Sequence, residues 1–247
     1  MKKKDNELTK KYIKDIKSAD VWSVFRILAD FVKGFDELGN LGPTITIFGS
    51  ARTHEEDFYY KESKKLASIL ASKGYNIMTG GGPGIMEAAN KGAYEYHDVE
   101  SIGLNIDLEH EQVINKYTTK SLNFDYFFSR KVMLVKYSVA YVIFPGGFGT
   151  LDELFEALTL VQTRKASGVK IFVIGTDFYQ PLFDFIKTKV LKNDMIEKAD
   201  LELIHLTDDI ECVVQEIDAC LSKQLEVLEE VGLEKTEYYK SLSSLNK

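Results

Sequence analysis

The sequence predicts an α/β protein with a doubly wound, mostly parallel sheet and an N-terminal helical extension. Three observations carry that expectation. From Thr44 onward, short apolar runs alternate with longer segments of helical periodicity. Val139–Phe144 is almost continuously apolar, the pattern of a strand covered on both faces. Glycine-rich turns follow three of the expected strands, where parallel sheets bind their ligands.

Residues 1–17 are basic and polar and read as a loosely held helix. From Ser18, a suitable cap, Val21, Val24, Phe25, Leu28, Phe31, Val32, Phe35 and Leu38 recur at helical spacing until Gly39. That apolar face fits either the chain's own domain or a neighbour. Gly42-Pro43 then breaks the chain. The expected order beyond it is strand 44–48, helix 58–73, strand 75–79, helix 85–96, strand 101–106, helix 124–137 and strand 139–144. Helix 151–162, strand 170–174, helix 178–191, strand 203–206 and helix 208–221 complete it. Residues 1–40 are thus an extension, 41–222 the nucleotide-binding domain and 223–247 a polar tail, either helical or mobile.

The chain has 247 residues, enough to bury a sizeable core, and a net charge of −7. That charge argues against a nucleic-acid partner, which needs clustered Lys and Arg. It does not argue against a small phosphate held by backbone amides. No apolar run is long enough to span a membrane, and the N-terminus lacks the apolar core of a signal peptide. A cytoplasmic location is expected. Cys212 and Cys220 are eight residues apart on a helical segment, roughly 12 Å by helical rise, too far for a disulfide. They read as buried free thiols on one side of that helix. His54, His97, His110 and His205 are scattered without metal-ligand spacing, so no metal site is expected.

The chemistry concentrates in the turns Gly49-Ser50-Ala51-Arg52, Gly80-Gly81-Gly82-Pro83-Gly84 and Pro145-Gly146-Gly147-Phe148-Gly149-Thr150. Glycine lets a ligand approach the backbone, and each following helix adds free amides and a positive dipole end. One such turn alone is merely a tight turn; three at equivalent strand ends form an anion cradle. The dinucleotide fingerprint fails, because its third glycine position falls on Ile85 in one turn and Asp152 in the other. No Walker P-loop is present. Glu87 and Glu153 lie just inside the helices that follow two of the turns. Two readings stay open for each. Thr150-Leu151-Asp152-Glu153 has capping-box spacing, and Glu87 suits a helix dipole, yet both carboxylates could serve the crevice. Arg130-Lys131 interrupts an apolar helix, as a structural salt bridge or as groups that meet a ligand.

Thr79-Gly-Gly-Gly-Pro-Gly-Ile-Met-Glu-Ala-Ala-Asn90, Arg130-Lys131 and Pro145-Gly-Gly-Phe-Gly-Thr-Leu-Asp-Glu153 resemble the LONELY GUY phosphoribohydrolases, often labelled lysine decarboxylase-like. The resemblance runs from about Thr44 to Gly175. It implies a Rossmann-like fold, a homodimer or larger homo-oligomer, and hydrolysis of AMP or N6-modified AMP to base and ribose 5-phosphate, with no cofactor. It implies Arg130 and Glu153 as the catalytic pair. Ser50, Gly81, Gly82, Glu87, Lys131, Gly146, Gly147, Gly149 and Thr150 would bind substrate. Where members commonly carry Met just before Arg-Lys, this chain has Tyr126-Phe127-Phe128-Ser129. Two rivals share the cradle or the label. One is a non-hydrolytic carrier of a nucleotide-like cofactor such as molybdopterin. The other is a literal decarboxylase, which needs pyridoxal phosphate on a lysine that nothing here marks.

Overall fold

The computed structural model describes residues 21–107, 115–166 and 168–246. Ser18, the basic segment 1–17 and His110 lie outside them. Seven strands form one sheet: β1 (Thr44–Phe48), β2 (Asn76–Thr79), β3 (Ser101–Ile106), β4 (Lys120–Phe124), β5 (Ala140–Ile143), β6 (Lys170–Ile174) and β7 (Ile204–Thr207). Their order is β4-β3-β2-β1-β5-β6-β7, and every neighbouring pair is parallel. The order reverses between β1 and β5, so the crevice beyond their carboxyl ends is the switch point where such sheets take ligands.

Helices α1 (Val21–Leu38), α4 (Phe127–Lys136), α5 (Phe148–Gln162) and α6 (Thr176–Phe185) cover one face. Helices α2 (Phe58–Ser72), α3 (Ile85–Ala93), α7 (Ile210–Glu230) and α8 (Glu237–Leu242) cover the other. Strand side chains alternate between the two cores. Ala140, Val142 and Phe144 join one, Tyr141 and Ile143 the other. Both faces are therefore dry, which is why the strands read as apolar runs.

Several expectations are corrected. The strand β4 was not foreseen, and the helix expected from Phe124 begins at Phe127. Helix α5 begins at Phe148, not Leu151. The helix expected over 178–191 is α-helical only to Phe185, then π-helical over Ile186–Val190 and 3₁₀ over Leu191–Asn193. Helix α7 runs to Glu230, past its expected end at 221, so the segment from 223 begins as helix, one of the two readings left open for it. Cys212 is exposed and Cys220 only half-buried. Eight residues is two turns plus about 80° of rotation, enough to carry Cys212 off the packed stripe. Among the described residues, no helix is long and apolar enough to cross a membrane.

Helix α1 departs from its amphipathic pattern in an instructive way. Its apolar Val24, Phe25, Leu28, Val32 and Phe35 are exposed, whereas Asp30, Gly34 and Leu38 are buried. A Cβ on Gly34 would lie 2.7 Å from Met133 Cε and Sδ, so the glycine lets α1 sit directly on α4. Lys120 of β4 donates to the Glu37 carbonyl at 2.8 Å and holds the end of the helix.

Candidate functional site

Three turns after adjacent strands meet at the switch point and are tied by main-chain hydrogen bonds. The Ser50 amide donates to the Pro145 carbonyl at 3.0 Å, and the Ile85 amide donates to the Ser50 carbonyl at 3.0 Å. Gly84 has φ +69°, and a Cβ there would lie 2.3 Å from the Ser50 carbonyl oxygen, so this junction accepts only glycine.

Each sequence-predicted residue takes a definite place on this frame. Gly81 (φ +71°) spends its amide on Thr79 Oγ1 at 3.0 Å, so it shapes the turn and does not offer that donor to an anion. Gly82 follows it, half-buried. The Ser50 hydroxyl accepts from the Arg52 amide at 3.0 Å and keeps its own proton to donate. A Cβ on Gly146 would lie 2.1 Å from Thr150 Oγ1, so Gly146 is required by packing against Thr150. Gly147 and Gly149 are exposed, with nothing within 4 Å of an added Cβ. Packing does not demand glycine there; open space above the first turn of α5 does, if that space holds a ligand. The first amides of a helix have no intrahelical acceptor, so Phe148 and Gly149 present donors to it.

The capping-box reading of Glu153 fails, because Gly147 is the N-cap and Glu153 lies in the second turn of α5. The residue is 6% exposed, and its Oε2 has no hydrogen-bond partner among the described residues. Burial raises its pKa to about 7 against the opposing charges of Lys131 and Arg130. Lys131 Nζ lies 3.9 Å from that carboxyl, 2.9 Å from Asp152 and in a short contact with Glu156. Burial alone would lower the Lys131 pKa, but its bonds to Glu156 and Asp152 outweigh this and raise it.

Among the described residues Arg130 makes no salt bridge. Its Nε is buried without a partner, its guanidinium lies 5.7 Å from the Phe127 ring centroid, and its terminal nitrogens reach the Gly80 turn. Burial lowers its pKa, and the Glu153 charge opposes that. Phe127 therefore fills part of the stretch where the resembling family commonly has Met.

Glu87 stands apart. It belongs to α3 on the opposite face of the sheet, and the Tyr60 hydroxyl donates to it at 3.0 Å. Among the described residues, no hydrogen bond or ion pair joins it to Glu153 or Arg130. Sequence reading missed Tyr60. It also missed Asn105, whose Oδ1 lies 2.2 Å from where a Gly81 Cβ would be. Asn90 was quoted only as part of a motif, yet it is buried and accepts from Thr79 and Asn115 beneath the glycine turn. Among the described residues, no group of His, Cys, Asp and Glu could hold a metal ion.

Comparison with known proteins follows the same lines. The family model described as "Possible lysine decarboxylase" matches residues 86–217, more than half of the chain. The chain belongs to this family. It is 26% identical over 126 residues to an uncharacterised protein of Archaeoglobus fulgidus, covering 51% of this chain and 79% of that one. It is 25% identical over 162 residues to the pyrimidine/purine nucleotide 5′-monophosphate nucleosidase of Escherichia coli K12. That match covers 60% of this chain and 35% of the nucleosidase, so the chain spans about a third of that relative. Among solved structures, a molybdenum cofactor carrier protein from Chlamydomonas reinhardtii superposes with TM-score 0.53 at 20% identity, over 73% of this chain and 99% of that one. A structural-genomics target superposes with TM-score 0.54 at 22% identity, over 72% and 99%. These likenesses show the Rossmann-like fold.

The family's description does not match the site's lysine. A Schiff base forms on a neutral amine, and the carboxyls around Lys131 raise its pKa, which disfavours that form.

Proposed function

We propose that the chain hydrolyses the N-glycosidic bond of nucleoside 5′-monophosphates, AMP or N6-modified AMP, to free base and ribose 5-phosphate, in the manner of the LONELY GUY family. The single observation that carries this reading is the buried Glu153 carboxyl, its Oε2 without a hydrogen bond among the described residues, beside Arg130 and close to a glycine turn open to an anion. The nucleosidase name of the Escherichia coli relative supports it.

The substrate phosphate sits on the Gly146–Thr150 turn, held by the Phe148 and Gly149 amides and the dipole of α5. Ser50, Gly82 and Lys131 border it, with Gly81 shaping the cradle. As the C1′–N bond breaks, its electron pair leaves with the base and positive charge builds on the ribose. Glu153, as carboxylate, stabilises that charge, takes a proton from the water that adds to C1′ and releases it to solvent, from which the departing base anion gains the proton that makes it the free base. Arg130 supports negative charge on the departing base, and its charge favours the ionised form of Glu153. Glu87, oriented by Tyr60, contacts the ribose hydroxyls from the other side of the sheet. Phosphate binding energy anchors the reacting end, so adenosine reacts far more slowly than AMP.

The exposed apolar face of α1, with Phe127, Phe128 and Val132 of α4 beside it, supports assembly into a homodimer or larger homo-oligomer.

The test is a panel of nucleoside monophosphates scored by chromatography for free base and ribose 5-phosphate. Bound nucleotide with no base released would make this a carrier, as the names of some fold neighbours suggest for those proteins. Equal rates on adenosine and AMP would remove the phosphate cradle from the mechanism.

A further inference from the structure

Helix α4 carries both cations that face Glu153, and its start has no cap of its own: the Tyr126 side chain at its N-cap makes no capping bond. The orphan donors there go to another element. Asp30 of α1, 3% exposed, accepts at Oδ2 from the Asp125 amide at 3.0 Å, the Tyr126 amide at 3.1 Å and the Ser129 hydroxyl at 2.7 Å. These donors lie within the five residues that precede Arg130. A buried carboxylate at a helix N-terminus is stabilised by such amides and by the helix dipole. Lys33 lies 3.6 Å from Oδ1 of the same carboxyl. The contact at Gly34 seats α1 on Met133 further along α4, and the Lys33 ammonium lies 5.1 Å from the ring of Phe124, at the end of β4.

We infer that Asp30 is a positioning residue for the reaction: it fixes the first turn of α4 and so sets where Arg130 and Lys131 stand relative to Glu153. It rests on the function proposed above only for calling the site catalytic. Helix α1 lies outside the matched family region, residues 86–217, so this chain supplies the anchor from its own N-terminal segment. The groups that face Glu153 are Arg130 and Lys131 from α4, and Asp152 and Glu156 from its own helix. Loosening α4 withdraws both cations together and leaves both acids in place. Glu153 then holds its proton to higher pH.

The experiment titrates the full chain labelled with ¹³C at the Glu carboxyl, following the Glu153 resonance identified by its absence from Glu153→Gln. In Asp30→Ala the midpoint is expected to rise by about half a pH unit or more, whereas Asp30→Asn, which keeps one acceptor oxygen, stays nearer wild type. Ser129→Ala removes one arm of the cap and is expected to move the midpoint in the same direction by less; it decides the matter if Asp30→Ala does not fold. A folded Asp30→Ala, or failing that Ser129→Ala, with the wild-type midpoint overturns the inference, because a merely structural anchor would lower stability alone. In base-release assays Asp30→Ala is expected to lower kcat with KM changed less than about twofold. If wild-type protein releases no base from any nucleotide, the proposed function falls, while the titration still decides the role of Asp30.

Discussion

Glu153→Gln should make the protein more stable and less active at once. Unfolded, the side chain titrates at its ordinary 4.5; folded, burial raises this to about 7. The folded state therefore binds the proton more tightly. Stability is greatest when the carboxyl is protonated and falls as pH rises from 4.5 through about 7. At ~1.4 kcal/mol per pH unit, ionising Glu153 costs the folded chain roughly 3 kcal/mol above pH 7 and about half of that at pH 5.5. Glutamine is neutral at every pH and nearly the same shape. Urea unfolding at pH 8 should show Glu153→Gln gaining up to roughly 3 kcal/mol over wild type, and markedly less at pH 5.5. Base release from AMP should fall by about 10²- to 10⁴-fold. A gain that does not grow between pH 5.5 and 8 would refute the buried, strained carboxylate. Wild-type turnover in the variant would refute its chemical role.

Gly147→Ala and Gly149→Ala each add a methyl to open space, so thermal unfolding should be unchanged within about 0.5 kcal/mol while KM for AMP rises several-fold. Gly146→Ala drives its methyl into Thr150 Oγ1 and should destabilise by about 1–3 kcal/mol, read by the same melts. Lys131→Met removes a charge that lowers the Glu153 pKa, so the acid limb of the pH–rate profile should move to higher pH, and Lys131→Arg should restore it. Tyr60→Phe deletes the bond to Glu87 and should raise KM for AMP more than it lowers kcat; an unchanged KM would separate Glu87 from the ribose.

The alternation of strands and helices was legible because both sheet faces are dry, so each central strand is an unbroken apolar run. Strand β4 was not, for the opposite reason. It is an edge strand reading Lys-Ser-Leu-Asn-Phe, in which only Leu122 and Phe124 are buried. The start of α5 was misplaced because Gly147-Phe148-Gly149 has turn composition, yet the helix begins where Gly147 caps it, and this shift moved Glu153 from a capping position into the second turn. The glycine turns were legible because a motif is local, and the structure brings them together at the switch point. The division of labour inside them was not. The Gly81 amide is consumed by Thr79, and the Gly146 Cβ position by Thr150, both matters of three-dimensional contact. Asp30 gave no signal at all. Its hydrogen-bond donors stand 95 to 99 residues away, and in the sequence it is an acid off the apolar stripe of a helix whose packing was left open.

The arrangement around Glu153 also bears on why an ion pair is absent where one was an open reading. A buried Arg–carboxylate pair stabilises only when both ends are bonded, and removing the bonds leaves two charges to be desolvated for nothing. Among the described residues no ion pair joins Arg130 to Glu153, and each keeps a buried atom without a partner. The nearby lysine does not close the gap. Its strong contacts go to Asp152 and Glu156, and at 3.9 Å from Glu153 it acts through its field, not through a hydrogen bond. A structural role would have used Lys131 or Arg130 to satisfy Oε2 directly. Leaving one buried atom of each without a hydrogen bond, near a turn with spare amides and spare room, favours a third body that carries a negative end for the turn and a developing positive centre for the carboxylate. A sugar phosphate leaving its base has both.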